Sequence, residues 1–205
     1  MSDTPSKPII ASPSATAGSA HITSARRTLE LEIAGLQALE ASLEGPFSAC
    51  IETLAGIKGR VIITGMGKSG HVGHKIAATM ASLGTPTQFV HPGEASHGDM
   101  GMITPDDAVL ALSWSGGASE LTDIILYTKR FGIPLISMTS KADSALGQAA
   151  DILLELPKAK EACPNGLAPT TSTTMQMALG DAIAIALLEK RGFSAEDYKV
   201  FHPGG

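Results

Sequence analysis

Aromatic residues are scarce in this chain of 205 residues: one Trp, two Tyr and five Phe, 4% of the whole. So few rings do not furnish a stacking platform for single-stranded nucleic acid. A basic surface is lacking too, with 15 Lys and Arg against 20 Asp and Glu and a formal charge of −5. Nucleic acids and anionic bilayers recruit clustered Lys and Arg, so neither is the expected partner. The two cysteines, Cys50 and Cys163, form neither a disulfide framework nor a zinc spacing, and are expected to be reduced thiols in a cytoplasmic protein. Long apolar runs are missing. The longest, Ala182 to Leu188, is closed by Asp181 and Glu189 and falls short of the ~20 residues of a membrane span. The first 25 residues hold 18 Ser, Thr, Ala, Pro or Gly and no continuous apolar stretch of a signal peptide. Residues 1–20 therefore read as a disordered tail and residues 21–205 as one domain.

Glycine is what the chain has in quantity, 22 residues, used where backbone turns sharply or approaches a ligand closely. Ahead of the glycine-rich part, Thr23–Ser24 suit a helix N-cap. Leu29, Ile33, Leu36, Leu39 and Leu43 then lie on one helical face, which Gly45-Pro46 ends. A second helix carries Phe47, Ile51 and Leu54. These helices precede any strand, so they are expected to cover an exposed face or a partner subunit. From Arg60 onward short apolar runs alternate with helical stretches. Strands are predicted at 61–63, 87–90, 108–112, 134–138 and 152–156, and helices at 71–83, 119–130, 143–149 and 170–191. The alternation predicts an α/β fold: a three-layer, doubly wound, Rossmann- or flavodoxin-like five-stranded parallel sheet. Such sheets bind ligands at the carboxyl ends of their strands, which directs attention to the loops after residues 63, 90, 112 and 156.

The first of these loops is Gly65-Met66-Gly67-Lys68-Ser69-Gly70. It matches G-x-G-x-x-G, but the second strand ends Phe89-Val90-His91 without the acid that would hold a dinucleotide ribose. Ile62 stands where a Walker A loop needs glycine. What remains is a turn into a helix N-terminus carrying Lys68 and Ser69, which suits an anion. The serine loop Ser113-Trp114-Ser115-Gly116-Gly117-Ala118-Ser119-Glu120 offers hydroxyls and helix-start N–H groups to a phosphate monoester, or else is a serine-rich cap made by Ser119. His91-Pro92-Gly93-Glu94-Ala95-Ser96-His97-Gly98-Asp99 could hold a metal or sugar hydroxyls, although His91 and His97 lack the helical spacing of a zinc pair. The segment around Lys160-Glu161-Ala162-Cys163-Pro164 leads into a hydroxyl run, Thr170 to Thr174, which again starts a helix. The sequence closes on His202-Pro203-Gly204-Gly205.

Taken together and in this order, these motifs resemble the sugar isomerase (SIS) domain of arabinose-5-phosphate isomerases, over about residues 22–205. The glycine and serine loops are shared by many SIS proteins. Lys-Glu-Ala-Cys-Pro and His-Pro-Gly-Gly are far more specific to this isomerase. The resemblance implies exchange of D-ribulose 5-phosphate with D-arabinose 5-phosphate, the first step toward Kdo, a lipopolysaccharide sugar. It implies a homotetramer with active sites at subunit interfaces, and a form without the usual CBS domains. It places the catalytic positions on Lys68, Glu120, Glu161 and His202. Substrate contacts fall on Ser69, Gly84, Thr85, His97, Ser113, Ser115 and Ser119. A zinc-binding position, inhibitory rather than required, falls on His91. His74, Trp114, Gly117 and Ala118 depart from the family pattern, which leaves more of the phosphate binding to backbone.

Aldose–ketose exchange moves one proton between two carbons through an enediolate and needs no redox cofactor. The expected roles are Glu161 as base, with a pKa raised by burial, His202 for ring opening or O–H transfer, and Lys68 for the oxyanion. Glu120 would position Lys68 or orient a hydroxyl. Glu161 and His202 lie in segments that could reach another subunit. The alternatives are another SIS sugar-phosphate isomerase and a non-catalytic phosphosugar sensor.

Overall fold

The structure is a computed structural model that describes residues 15–204. Five strands form one parallel sheet: β1 (Val61–Gly65), β2 (Thr87–Phe89), β3 (Ala108–Leu112), β4 (Leu135–Thr139) and β5 (Ile152–Glu155). Their spatial order is β2-β1-β3-β4-β5. Every residue of β1, β3 and β4 is buried, and β3 accordingly is a continuous apolar run, while β1 and β4 also bury Thr64, Ser137 and Thr139. The edge strands β2 and β5 are only partly covered. Register is tight at the centre, where Val61 lies opposite Ala108 and Gly65 opposite Leu112.

Two apolar layers sandwich the sheet. On one face Val61, Ile63, Leu110 and Ile136 pack against α2 (Gly45–Gly56), α3 (Gly67–Ser82) and α7 (Thr171–Arg191). On the other face Ile62, Val109 and Leu135 pack against α4 (Pro92–Ala95), α5 (Thr122–Phe131) and α6 (Ala145–Ala149). The chain therefore winds one way from β1 to β2 and the other way from β3 to β5, the doubly wound arrangement read from the sequence. The winding reverses between β1 and β3, so the loops that follow them form the crevice where such sheets bind ligands.

Helix α3 runs side by side with α7. Gly180 packs against Ile76 at mid-helix, and Arg191 at the end of α7 donates to the Gly84 carbonyl just after α3, so the two helices run parallel and both start at the carboxyl edge of the sheet. Helix α1 (Ala15–Ala41) begins well before the expected cap at Thr23–Ser24. The Thr23 hydroxyl donates to the Ser19 carbonyl at 2.9 Å, one turn back, instead of capping an end. Residues 15–20, read as part of a disordered tail, are helical; the remainder of that tail lies outside the described residues. Gly35 of α1 meets Thr171 and Met175, while Leu39 and Leu179 line one groove. The N-terminal half of α1 thus runs past the start of α7, and Ile22, Leu29 and Ile33 stay 56%, 58% and 53% exposed. A last helix, α8 (Ala195–Phe201), was not expected. Its signal was present: Ser194 and Asp197 form a reciprocal capping box.

Candidate functional site at the carboxyl edge of the sheet

The turn from β1 into α3 is closed by backbone approach. A Cβ on Gly70 would stand 2.6 Å from the Gly65 carbonyl oxygen, and that oxygen cannot swing aside. Gly70→Ala is expected to destabilise the fold by about 2–3 kcal/mol, a fall of roughly 5–10 °C in Tm, measurable by thermal unfolding. The turn sets exposed Lys68 and half-buried Ser69 in the first turn of α3, where N–H groups lack intrahelical acceptors and the dipole favours an anion.

The serine loop is tied down to its neighbour. The Trp114 carbonyl accepts from the Ser140 N–H at 3.1 Å, the Ser140 hydroxyl at 2.9 Å and the Thr139 hydroxyl at 3.2 Å. Gly116 has φ +63°, and a side chain there would strike Ser144. Ser113 is buried, and its hydroxyl accepts from the Gly116 N–H at 3.1 Å, so it shapes the loop from within. Ser115 and Ser119 remain exposed on the loop. Ser119 does not cap the following helix; its hydroxyl donates to Glu120 Oε2 at 3.3 Å. Lys68 and Glu120 make no ion pair among the described residues.

Glu161 is anchored on the N-terminus of α7. Its Oε2 accepts from the Thr170 N–H at 2.7 Å, the Thr170 hydroxyl at 2.9 Å and the Ser172 N–H at 3.4 Å. Burial pushes its pKa up, but the Ser172 hydroxyl, the Thr170 N–H and hydroxyl and the Ser172 N–H outweigh burial and hold it below the ordinary value. The expectation of a raised pKa is corrected here: helix-start donors, not desolvation, decide. The hydroxyl run that starts α7 is spent in part on the chain's own carboxylate. In the same loop Cys163 is partly exposed, and the backbone N–H of Ala168, then those of Leu167 and Asn165, lower its pKa. Burial pushes the Cys50 thiol up to about 12.

His91 and His97 are both exposed on the segment after β2. His91 Nδ1 caps α4 by accepting from the Gly93 N–H at 3.2 Å. A neutral ring in that tautomer carries its proton on Nε2 and presents a donor, not a lone pair. Among the described residues no three His, Cys, Asp or Glu side chains converge as a metal site. The donor set of one chain thus suits an oxygen acceptor on His91 and does not fit a zinc ion.

Three of the expected positions lie elsewhere. Gly84 and Thr85 follow α3 and precede β2, at the amino edge of the sheet, where the Pro86 carbonyl accepts from the Val61 N–H. The Gly84 carbonyl accepts from Arg191 at 3.1 Å, and Phe193 covers the glycine. Phe193 stacks with Phe201 of α8 at 5.8 Å, which holds the neighbouring His202 at this edge. His202 is half-buried, with Nδ1 3.0 Å from the Tyr198 carbonyl and its ring stacked on Tyr198 at 3.8 Å. The 16 residues of α3 separate the edges by roughly 24 Å. One chain therefore sets Lys68, Ser69, Ser115, Ser119, Glu120 and Glu161 at the carboxyl edge of the sheet and Gly84, Thr85 and His202 at the amino edge.

The sequence model of the SIS domain matches residues 53–186, well over half the chain. The chain belongs to the SIS domain family. This SIS domain is 57% identical to the arabinose 5-phosphate isomerase KdsD of Pseudomonas aeruginosa over 184 residues, 90% of this chain and 56% of that protein. It is 51% identical to KdsD of Escherichia coli K12 over 180 residues, 88% of this chain and 55% of that one. The chain thus spans about half the length of these curated relatives. Among solved structures it resembles E. coli CFT073 c3406 in complex with A5P, with TM-score 0.87 and 37% identity over 90% of this chain and 98% of that one.

Proposed function

We propose that this SIS domain interconverts D-ribulose 5-phosphate and D-arabinose 5-phosphate through an enediolate. The observation that carries the reading is one sheet edge with two helix starts open to a phosphate and a carboxylate anchored beside them. The identity to KdsD proteins and the likeness to a protein in complex with A5P support the choice of sugar. The starts of α3 and of the 3-10 turn Ser119–Leu121 would receive the phosphate through N–H groups and the hydroxyls of Ser69, Ser115 and Ser119. Glu161 would move the proton between C1 and C2. Lys68, at the positive end of α3, would face the enediolate oxygen. Exposed Glu120 is free to orient a substrate hydroxyl.

His202, Gly84 and Thr85 cannot join this site within one chain, so a second copy supplies them. The exposed apolar residues Ile22, Leu29 and Ile33 of α1, and Val200 and Phe201 of α8 at 74% and 55% exposure, support such an assembly. A homotetramer with shared sites is the arrangement we infer. Among the described residues no helix is long and apolar enough to cross a membrane. The cytoplasm, and a product directed to Kdo, complete the reading.

The test is to mix the purified chain with ribulose 5-phosphate and follow arabinose 5-phosphate. Product formed catalytically is the expected result. Its absence at high protein concentration, with the sugar phosphate still bound, would make the domain a sensor.

A further inference from the structure

The Thr170 N–H, the Thr170 hydroxyl and the Ser172 N–H all donate to Oε2 of Glu161, and the Ser172 hydroxyl beside them also favours the charged carboxylate. The two shortest of these bonds come from a single residue, Thr170, through its N–H and its hydroxyl. That hydroxyl also accepts from the Ala162 N–H at 2.9 Å. The result is a closed circuit: the residue after the glutamate holds Thr170 in place, and Thr170 holds the glutamate. Thr170 stands at the N-cap position of α7, yet its side chain makes no cap bond to that helix. Its hydrogen-bonding capacity is directed at Glu161 instead. The free first-turn donors of α7 reinforce the hold, since they favour a negative charge at the same point.

Resting on the isomerase reading above, we propose that Thr170 is a positioning residue for the reaction, anchoring Oε2 of Glu161 so that Oε1 is the oxygen that handles the substrate proton. In the aldose-to-ketose direction Oε1 takes the proton from C2. The C–H electron pair becomes the C1–C2 double bond as the carbonyl π pair moves to O1, giving the enediolate. The proton returns from Oε1 to C1 as the electrons of the double bond reach for it, and the hydroxyl proton on O2 is released to leave the C2 ketone while O1 is protonated. No electrons are gained or lost overall. The carboxylate must sit over two adjacent carbons within one turnover, so its orientation matters more than its basicity. A misplacement on the order of 1 Å reduces turnover roughly 10²-fold.

The test uses the full chain with Thr170→Val, which keeps the shape and the backbone N–H but removes the hydroxyl, and Thr170→Ser, which keeps the hydroxyl. Thr170→Val is expected to lower kcat roughly 10²-fold with KM changed less than about twofold. The acid limb of its kcat profile should move up by about one pH unit, because one donor to the carboxylate is gone. Thr170→Ser should stay within about threefold of the unaltered chain. If Thr170→Val melts below the assay temperature, Thr170→Ala carries the same expectations. A hydroxyl-less variant with unchanged kcat and acid limb, or a Thr170→Ser as impaired as Thr170→Val, overturns the proposal. A 13C titration of the Glu161 carboxyl needs no turnover and is expected to shift upward in Thr170→Val; an unmoved titration overturns the proposal as well. A chain that fails to isomerise at all defeats the isomerase reading, and the carboxyl titration still decides the hold of Thr170 on Glu161.

Discussion

Glu161→Gln is expected to lower kcat about 10³-fold or more while the chain stays folded and still binds the sugar phosphate. The amide oxygen of glutamine can accept from the Thr170 N–H and hydroxyl as Oε2 does now, so the loop keeps its anchor. What disappears is the group that accepts a proton from carbon. Exchange of the substrate C–H proton with solvent deuterium isolates that step. The variant should lose exchange together with turnover, and exchange at the unaltered rate would remove Glu161 from the role of base. Stability gives an independent check. The folded pKa of Glu161 is lowered, so its hold on α7 is fully present above the ordinary carboxylate range and is lost as pH falls through the lowered value. The difference in Tm between the unaltered chain and Glu161→Gln should therefore be largest near neutral pH and shrink below pH about 4.

The part of this picture that the sequence discloses is the sheet. β3 is predicted at its observed bounds, because five consecutive apolar residues between polar flanks leave little choice once strands and helices alternate. The glycine and serine loops follow, since ligand loops sit after the strands flanking the reversal. The early start of α1 is hidden in the sequence for a definite reason. Its first residues are Ala, Ser and Thr, whose hydroxyls can cap or can bond back one turn, and composition does not distinguish the two. The ionisation of Glu161 is not legible in the sequence, because burial raises its pKa while donors lower it and only the fold sets the balance. The hydroxyl run nine residues on, beginning at Thr170, held the missing information, but only the folded loop brings it to the carboxylate. The placement of Gly84 and Thr85 was open to deduction. A segment between a helix that leaves the carboxyl edge and the next parallel strand must lie at the amino edge.

That placement carries the second large effect. Glu161→Gln alters only the carboxyl edge and His202→Ala only the amino edge, and each homogeneous protein is expected to be nearly inactive. If every site joins the carboxyl edge of one copy to the amino edge of another, a mixed oligomer contains sites in which both edges are intact. Random one-to-one association makes these about a quarter of all sites, so co-refolding the two inactive proteins should restore about a quarter of the unaltered activity. Within one chain, His202 is fixed at the amino edge through Phe201, Phe193 and Gly84, and α3 alone spans roughly 24 Å between the edges. Proton transfer needs heavy atoms about 3 Å apart, so no rotamer of His202 reaches Lys68 or Glu161 in its own chain. A mixture no more active than its two components, with mixed oligomers shown to form, would mean that each chain completes its own site. α8 would then have to leave Phe193 and Gly84, and the stacking of Phe193 on Phe201 would be broken in the working enzyme. Recovery near a quarter would instead make the oligomer part of the chemistry, since a lone copy would hold the phosphate loops and the carboxylate without His202.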